Sequence, residues 1–220
     1  MRYASLLSLL LAATFVENTA MAQTSEPRSP FISAHLGGFV TSLDGFDKVY
    51  DTNIGFVFGA GVGLPVSTRM YFYGKATYFA KSGVPVITTY SYQNGTFVSV
   101  AETRDGIATF RQWIFNGGMQ YNIFLSEDYT LGISGGITYS RIAEDQRNST
   151  GTVSSSISST GFDFFGGLAA ERNFAESPCS VFLETQFNYT RREIFILVGD
   201  YGGVNLSLGI RYYFKERRRS

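Results

Sequence analysis

Apolar and polar residues alternate with a period of two along most of the chain after residue 30. Successive side chains of a β-strand point to opposite faces, so this alternation predicts strands with one apolar and one polar face. About eight segments show the pattern, an even number. They lie at about 31–40, 54–64, 69–81, 107–124, 130–140, 162–171, 181–190 and 205–214.

The two faces of these segments differ in size as well as in polarity. In the segment 107–124 the odd positions include Trp113 and Phe115, and the even positions include Gln112 and Asn116. Large apolar side chains suit contact with lipid, whereas small polar ones can fill the narrow interior of a barrel. A soluble barrel or sandwich is the alternative, because the period alone does not tell which face is buried.

The connections between the segments alternate between long and short. The second, fourth and sixth are short, and the others, at about 41–53, 82–106, 143–160 and 193–202, are longer. Along antiparallel neighbours this places every long loop at one end, as in outer-membrane barrels. An open sheet would leave backbone groups unpaired in lipid. The sequence therefore predicts an all-β fold: a closed antiparallel transmembrane β-barrel of about eight strands, connected as an up-and-down meander.

The N-terminus has the features of an export signal. Arg2 precedes an apolar stretch at 6–16, and Ala20-Met21-Ala22 provides small residues at a cleavage position. The apolar stretch is too short to span a membrane as a helix. We therefore expect a signal peptide at 1–22, a short periplasmic segment at 23–30, the barrel at 31–214 and a basic periplasmic tail at 215–220, with the mature protein in the cell outer membrane.

The composition of the chain bears mainly on which partners the protein can have. Lys plus Arg and Asp plus Glu number 18 each, so the formal net charge is zero and nothing indicates a nucleic-acid partner. Charged residues make up only 16% of the chain and aromatic residues another 16%. A soluble domain usually carries more charge, so this composition favours aromatic strands in contact with lipid.

Three stretches carry a resemblance to a known group. They are the Ala20-Met21-Ala22 ending of the leader, the glycine-rich strand "GFVFGAGVGL" and the closing "LSLGIRYYF". Together they resemble the small eight-stranded bacterial outer-membrane barrels, the OmpA-like and OmpX-like barrel-domain proteins. The resemblance implies that the barrel-assembly machinery reads the last strand, where Leu208, Ile210, Tyr212 and Phe214 match the alternating signal, although Phe214 is not the last residue. The group differs in activity, so function does not follow from the fold.

Three charged residues fall on the predicted inward face. Glu171 and Glu184 flank the sixth turn, and Arg211 lies at a similar distance from the end of the last strand. Isolated charge is costly in a narrow interior, so we expect the three to meet as a polar plug across the periplasmic third. The alternative is that they line a solvated wall without mutual contact, because strand register is not given by the pattern.

Three arginines fall on the predicted outward face near the long loops: Arg111, Arg141 and Arg191. The guanidinium group donates paired hydrogen bonds to phosphate, so these residues are candidate contacts to lipopolysaccharide phosphates. Ordinary snorkelling or solvation in the loops is the alternative.

Catalytic chemistry has little support in the sequence. Ser33 and His35 share an inward face, but no carboxylate is placed beside them to complete an acyl-transfer site. No metal-ligand or cofactor motif occurs, so we expect no catalytic residue, no metal and no cofactor.

The remaining candidates are the polar loops at 82–106 and 143–160, which we expect to be exposed and available to extracellular ligands, or merely hydrated. The predicted protein is a monomer with a structural or surface-interaction role, and its partners are outer-membrane lipid, lipopolysaccharide and the barrel-assembly machinery. A narrow passive pore is the first alternative, and a lipid-modifying enzyme is the second.

Overall fold

The computed structural model describes residues 29–93, 96–126, 128–147, 152–174, 177–194 and 197–214, and at 86–93, 97–104, 153–154 and 191–200 it describes the course of the backbone. In chain order the elements are β1 (Phe31–Thr41), α1 (Phe46–Tyr50), β2 (Ile54–Pro65), β3 (Met70–Gly83), β4 (Val86–Gln93), β5 (Thr96–Arg104), β6 (Ile107–Phe124), β7 (Tyr129–Arg147), β8 (Val153–Asn173), β9 (Cys179–Tyr189), β10 (Arg191–Ile194), β11 (Leu197–Asp200) and β12 (Gly203–Tyr213). The predicted segments 1–22 and 215–220 lie outside the described residues.

Eight strands of the described chain close into one antiparallel barrel. Their order around the barrel is β1, β12, β9, β8, β7, β6, β3 and β2, with β2 returning to β1. The last strand closes onto the first, with Ile32 opposite Tyr212 and Val40 opposite Val204. Each barrel strand pairs with the next barrel strand along the chain, so the predicted closed eight-stranded meander is confirmed.

The outward face of this barrel is apolar and exposed. Phe162 and Phe164 on β8 are 75% and 69% exposed, and Leu36 on β1 is 55% exposed. Inward neighbours such as Asn116 and Thr138 are buried. A single closed sheet buries only its inner face, so an apolar outer face of this kind is what a membrane-spanning barrel presents to lipid.

The wall of the barrel is uneven in height. β6, β7 and β8 have 18, 19 and 21 residues, whereas β1, β9 and β12 have 11 each. β7 pairs with β8 up to Arg147 opposite Val153, while β9 joins β8 only from Tyr189 opposite Phe164 onwards. The upper parts of β6, β7 and β8 therefore protrude beyond the opposite wall at the end that carries the long connections.

The prediction that 143–160 is a loop is wrong for most of its length. β7 continues to Arg147 and β8 begins at Val153, so the connection shrinks to 148–152. The Ser/Thr-rich stretch pairs regularly with β7, for example Ser156 opposite Asp145. The sequence did not predict these parts of β7 and β8, because neither face of a protruding sheet has to be buried. Without burial, the alternation of apolar and polar residues disappears.

The other long connections also contain regular structure. The predicted loop 82–106 holds the β4–β5 hairpin, and the predicted loop 193–202 overlaps the β10–β11 hairpin. The first connection holds the five-residue helix α1. In the described residues no helix is long and apolar enough to cross a membrane.

The inward face is not polar throughout, contrary to the expectation of a lumen lined by small polar groups. At the loop end a buried apolar cluster fills the barrel and includes two residues of α1. Its members are Phe39, Phe46, Tyr50, Val57, Phe79, Ala108, Phe110, Ile114, Ile142 and Tyr201. At the opposite end Phe31, Tyr71, Tyr73 and Phe165 form a second cluster. Buried polar side chains lie between these clusters and also among the residues of the second one, where Arg211 packs on Phe31.

Candidate functional site

Arg211 is the centre of the lower closure of the barrel. It lies on β12, is 1% exposed, and its guanidinium carbon sits 4.7 Å from the ring centroid of Phe31 and 4.6 Å from that of Phe182. The cation thus lies over two aromatic rings at once, a favourable arrangement for a desolvated guanidinium. The same group donates to Glu171 Oε2 at 2.7 Å and to Gln120 Oε1 at 3.3 Å.

Glu171, on β8, is the anion of this lower layer. Its Oε1 atom accepts hydrogen bonds from the hydroxyls of Ser180 and Tyr213, and its Oε2 atom accepts from Arg211. These donors come from β9 and from two positions of β12, so the carboxylate ties three strands together inside the barrel. A buried carboxylate is tolerated when it is both ion-paired and fully hydrogen-bonded, as here.

A second buried ion pair joins Lys75 on β3 to Glu184 on β9. The Nζ atom of Lys75 lies 2.7 Å from Glu184 Oε1 and also donates to Gln186 Oε1 at 3.2 Å. Tyr73 donates its hydroxyl hydrogen to Glu184 Oε2 at 3.3 Å. β3 and β9 are not neighbours in the barrel, so this contact crosses the lumen.

The structure therefore places Glu171, Glu184 and Arg211 inside the barrel but divides them between two ion pairs. Arg211 pairs with Glu171, and Glu184 pairs with Lys75, a residue that the sequence analysis did not select. The sequence did indicate that Lys75 points inward, because it alternates with Tyr73 and Thr77 on one face of β3. The sequence does not show which strand faces β3 across the lumen, so it could not identify Lys75 as the partner of Glu184.

Other hydrogen-bonded side chains lie in the lumen beside Lys75 and nearer the loop end. Thr138 donates to Asn116 at 2.6 Å, and Gln112 donates to the backbone carbonyl of Tyr201 at 3.1 Å. His35 Nε2 lies 3.2 Å from the hydroxyl of Thr77. The predicted pair Ser33 and His35 thus lies on the inward face of β1, and the hydrogen bond of the imidazole is made to Thr77.

Helix α1 closes the loop end of the barrel. The rings of Phe46 and Tyr50 stack with centroids 4.3 Å apart, and Phe46 meets Phe110 edge-on at 5.2 Å. Burial, followed by the nearby Glu144 carboxylate, raises the pKa of Tyr50 well above its usual range and also raises the pKa of Tyr201. Both phenols are therefore kept neutral in an apolar setting.

The three arginines that the sequence predicts on the outward face have different surroundings. Arg111 is ion-paired with Asp145, with 2.6 Å between Nη2 and Oδ2. Arg141 is exposed and lies directly opposite Trp113 on the neighbouring strand. Arg191 belongs to β10, outside the barrel wall, where the backbone alone is described. The structure does not bring the three together into one ring of the barrel wall.

The predicted assembly residues are alternate outward positions at the end of β12 and just after it. Leu208 and Ile210 are 58% and 57% exposed, and Tyr212 meets Phe214 edge-on with ring centroids 5.3 Å apart. All four are exposed on the outer side of the barrel, as expected for the apolar face of an alternating strand. Among the described residues no group of three or more His, Cys, Asp or Glu side chains is placed to hold a metal ion.

Comparison with known proteins agrees with this architecture. No family model and no curated protein matches the sequence. Neisserial surface protein A aligns at a TM-score of 0.51 and 13% identity, over 84% of this chain and 97% of that one. The attachment invasion locus protein Ail of Yersinia pestis, solved with the heparin analogue sucrose octasulfate, aligns at 0.52 and 11%, over 86% of this chain and all of that one. At such identities the likeness concerns the fold: this chain folds as a small eight-stranded outer-membrane barrel.

Proposed function

We propose that this protein is a closed outer-membrane barrel with a structural or surface-interaction role and that it does not conduct solutes. The observation that carries the proposal is the double closure of the lumen. α1 and its apolar neighbours fill the loop end, and the Arg211–Glu171 pair with Phe31 and Phe182 fills the other end. An eight-stranded barrel has an interior only wide enough for side chains, so closure at either level blocks passage.

Planar-bilayer recording tests the proposal. The wild-type barrel is expected to insert without producing steady current. A variant that combines Phe46→Ser and Tyr50→Ser with Arg211→Ala, Glu171→Ala, Lys75→Ala and Glu184→Ala is expected to conduct, because both closures and the ion pair that crosses the lumen between them are removed. The variant with only the loop-end changes should stay silent, since the lower layer remains. Steady openings from the wild-type protein would overturn the proposal in favour of a narrow passive pore.

The loop end is the proposed interaction surface. The protruding parts of β6, β7 and β8 and the hairpins β4–β5 and β10–β11 all belong to the connections that the meander places on one side. In an outer-membrane barrel the long connections face the outside of the cell. Extracellular ligands would therefore meet a pleated sheet edge and two hairpins rather than irregular loops.

Lipid phosphates are part of the same proposal. Among the three candidate arginines, Arg141 has the strongest support because it is exposed on the outer wall beside Trp113. Arg111 would have to share its guanidinium with Asp145. A lipid contact at Arg141 would anchor the barrel at the level of the headgroups on the loop side.

A further inference from the structure

A shallow groove indents the outer wall of the barrel where β2, β3 and β6 meet. It has a volume of about 450 Å³. Its outward-facing residues are Ala60, Val62, Gly74, Ala76 and Phe115, and we call these residues the wall groove. The accessible surface of the groove is almost entirely hydrocarbon. The groove lies in the transmembrane part of the wall, so a lipid chain is what surrounds it.

The depth of the groove follows from the size of its residues. Ala60 lies directly opposite Ala76, and Gly74 lies directly opposite Gly117. The positions above and below on the same face are large, with Phe58 and Phe72 both more than half exposed. Four neighbouring small residues between bulky rings leave space that the protein itself does not fill. A chain of methylene groups gains apolar contact by occupying it.

The upper rim of the groove is aromatic. Tyr78 and Trp113 have ring centroids 4.7 Å apart, and Trp113 stacks over Phe115 at 5.9 Å. Tyrosine and tryptophan prefer the boundary between hydrocarbon and headgroups, so this rim marks the level at which a lipid bound in the groove changes from chain to headgroup.

A cation stands at that level. Arg141 is on β7, the strand next to β6, and lies directly opposite the rim residue Trp113. In the part of the chain that the structure describes, Arg141 makes no hydrogen bond or ion pair, whereas Arg111 is held by Asp145. Arg141 is two residues above Tyr139, which is opposite Phe115 of the groove. The Cα atom of Arg141 is therefore about 7 Å higher than that of Phe115 along the strand and about 5 Å to its side.

We propose that the wall groove binds one acyl chain of an outer-leaflet lipid whose headgroup exposes a phosphate monoester, and that Arg141 contacts this phosphate. The apolar lining selects a hydrocarbon chain, and the guanidinium fork matches phosphate oxygens. The distance between the two is within the reach of one lipid molecule that spans from headgroup to chain. This site rests on the membrane residence in the proposed function and adds a lipid class to it.

The chain contains one tryptophan, Trp113, which makes the site directly observable. The native protein is reconstituted in phosphatidylcholine vesicles, and a fraction of the lipid is replaced by either phosphatidic acid or phosphatidylcholine with brominated acyl chains. Bromine quenches tryptophan fluorescence on contact. Brominated phosphatidic acid should reach half-maximal quenching at a mole fraction about tenfold lower than brominated phosphatidylcholine, as one charge-assisted bidentate contact would give.

Variants separate the two halves of the site. Arg141→Gln should remove the preference for phosphatidic acid, and Arg141→Lys should keep part of it. Gly74→Leu fills the groove and should weaken quenching by both lipids; the added side chain has room, because a Cβ there would lie 3.4 Å from Val62.

The matched controls are Gly166→Leu, at an outward position on β8 with open space around it, and Arg172→Gln, at the other rim of the barrel over Tyr129. Both controls should behave as wild type.

Three results would overturn the site. One is equal quenching by the two brominated lipids in the wild type. Another is loss of the preference in the Gly166→Leu or Arg172→Gln control, because a general surface effect would then explain it. If the groove instead held a second copy of the chain, quenching would fall as the protein-to-lipid ratio rises, which also contradicts the proposal. Heat-modified mobility on gels checks that each variant is folded. The bilayer currents that test the closed lumen do not depend on Arg141 or Gly74, so failure of the lipid site would leave the proposal of a closed lumen intact.

Discussion

The closure of the barrel depends at the residue scale on the space around Arg211. Its register neighbours on the two adjacent strands are Ser33 and Ser180, both small. This leaves room for the rings of Phe31 and Phe182 to contact the guanidinium. Because the planar group stacks and donates at its edge at the same time, lysine could not replace it without losing one of the two interactions.

The first prediction concerns removal of this cation. Arg211→Met should destabilise the barrel by about 3–5 kcal/mol, because Glu171 would remain buried without a counter-charge. Adding Glu171→Gln should recover much of the loss, since the uncompensated charge is then gone. Urea unfolding in lipid vesicles measures both. The exposed Arg172→Gln serves as control and should stay within about 0.5 kcal/mol of wild type. A double variant as unstable as the sum of the two single variants would contradict the coupling.

At the scale of elements, α1 is stable only because the barrel holds it. It has five residues and no side-chain cap, and it lies between Gly45 and Asp51, which have φ angles of 75° and 64°. Isolated helices of this length do not persist in water. Burial of Phe46 and Tyr50 in the mouth of the barrel supplies the missing stability. Substitutions of these two rings should therefore release the helix without affecting strand pairing.

The second prediction follows from the raised pKa of Tyr50. The folded state holds this phenol neutral, so its contribution is complete below the unfolded pKa of about 10 and is lost as pH rises above that value. The urea midpoint of the wild type should fall more steeply between pH 9 and pH 11 than that of Tyr50→Phe, which has no proton to lose. Equal slopes in the two proteins would contradict the assignment of this pH dependence to Tyr50. Because Tyr201 also has a raised pKa, Tyr201→Phe should reduce the slope as well.

At the scale of the whole molecule, β12 links assembly to closure. It pairs with β1 on one side and with β9 on the other, and without it the barrel would have two open edges. Its outward residues are apolar and exposed, and Arg211 on its inward face completes the lower ion pair. The same strand therefore carries the predicted assembly signal, the seam that closes the barrel and the cation of the lower closure.

The third prediction concerns the tail at 215–220. We place the end of the barrel at Phe214, so deletion of 215–220 should leave assembly unchanged or improve it by making Phe214 terminal. Tyr212→Ala with Phe214→Ala is the contrasting variant and should slow assembly. The amount of heat-modifiable protein in outer-membrane fractions measures both. Loss of assembly on deletion of the tail alone would contradict the placement.

Much of the architecture could be predicted from local pattern, and the exceptions share one cause. Wherever one strand face meets lipid and the other a crowded interior, alternation appears in the sequence, and the eight barrel strands were predicted from it. In the upper part of β8 both faces meet solvent, so the strand has no apolar–polar pattern to detect. The helix α1 is too short for a period to show. Lys75 was visible as a polar residue on β3, but its pairing with Glu184 depends on which strands lie across the lumen.

The antiparallel barrel of about eight strands, its apolar outer face and the long connections at one end could all be inferred from the linear pattern of residues. This is possible because side-chain direction along a strand is a local property with a period of two. The two closures of the lumen, the different partners of Glu171 and Glu184 and the groove formed by small residues of β2 and β3 are visible in the folded barrel alone. These features depend on register and on distances across the closed barrel, which arise only when strands far apart in the chain are brought together.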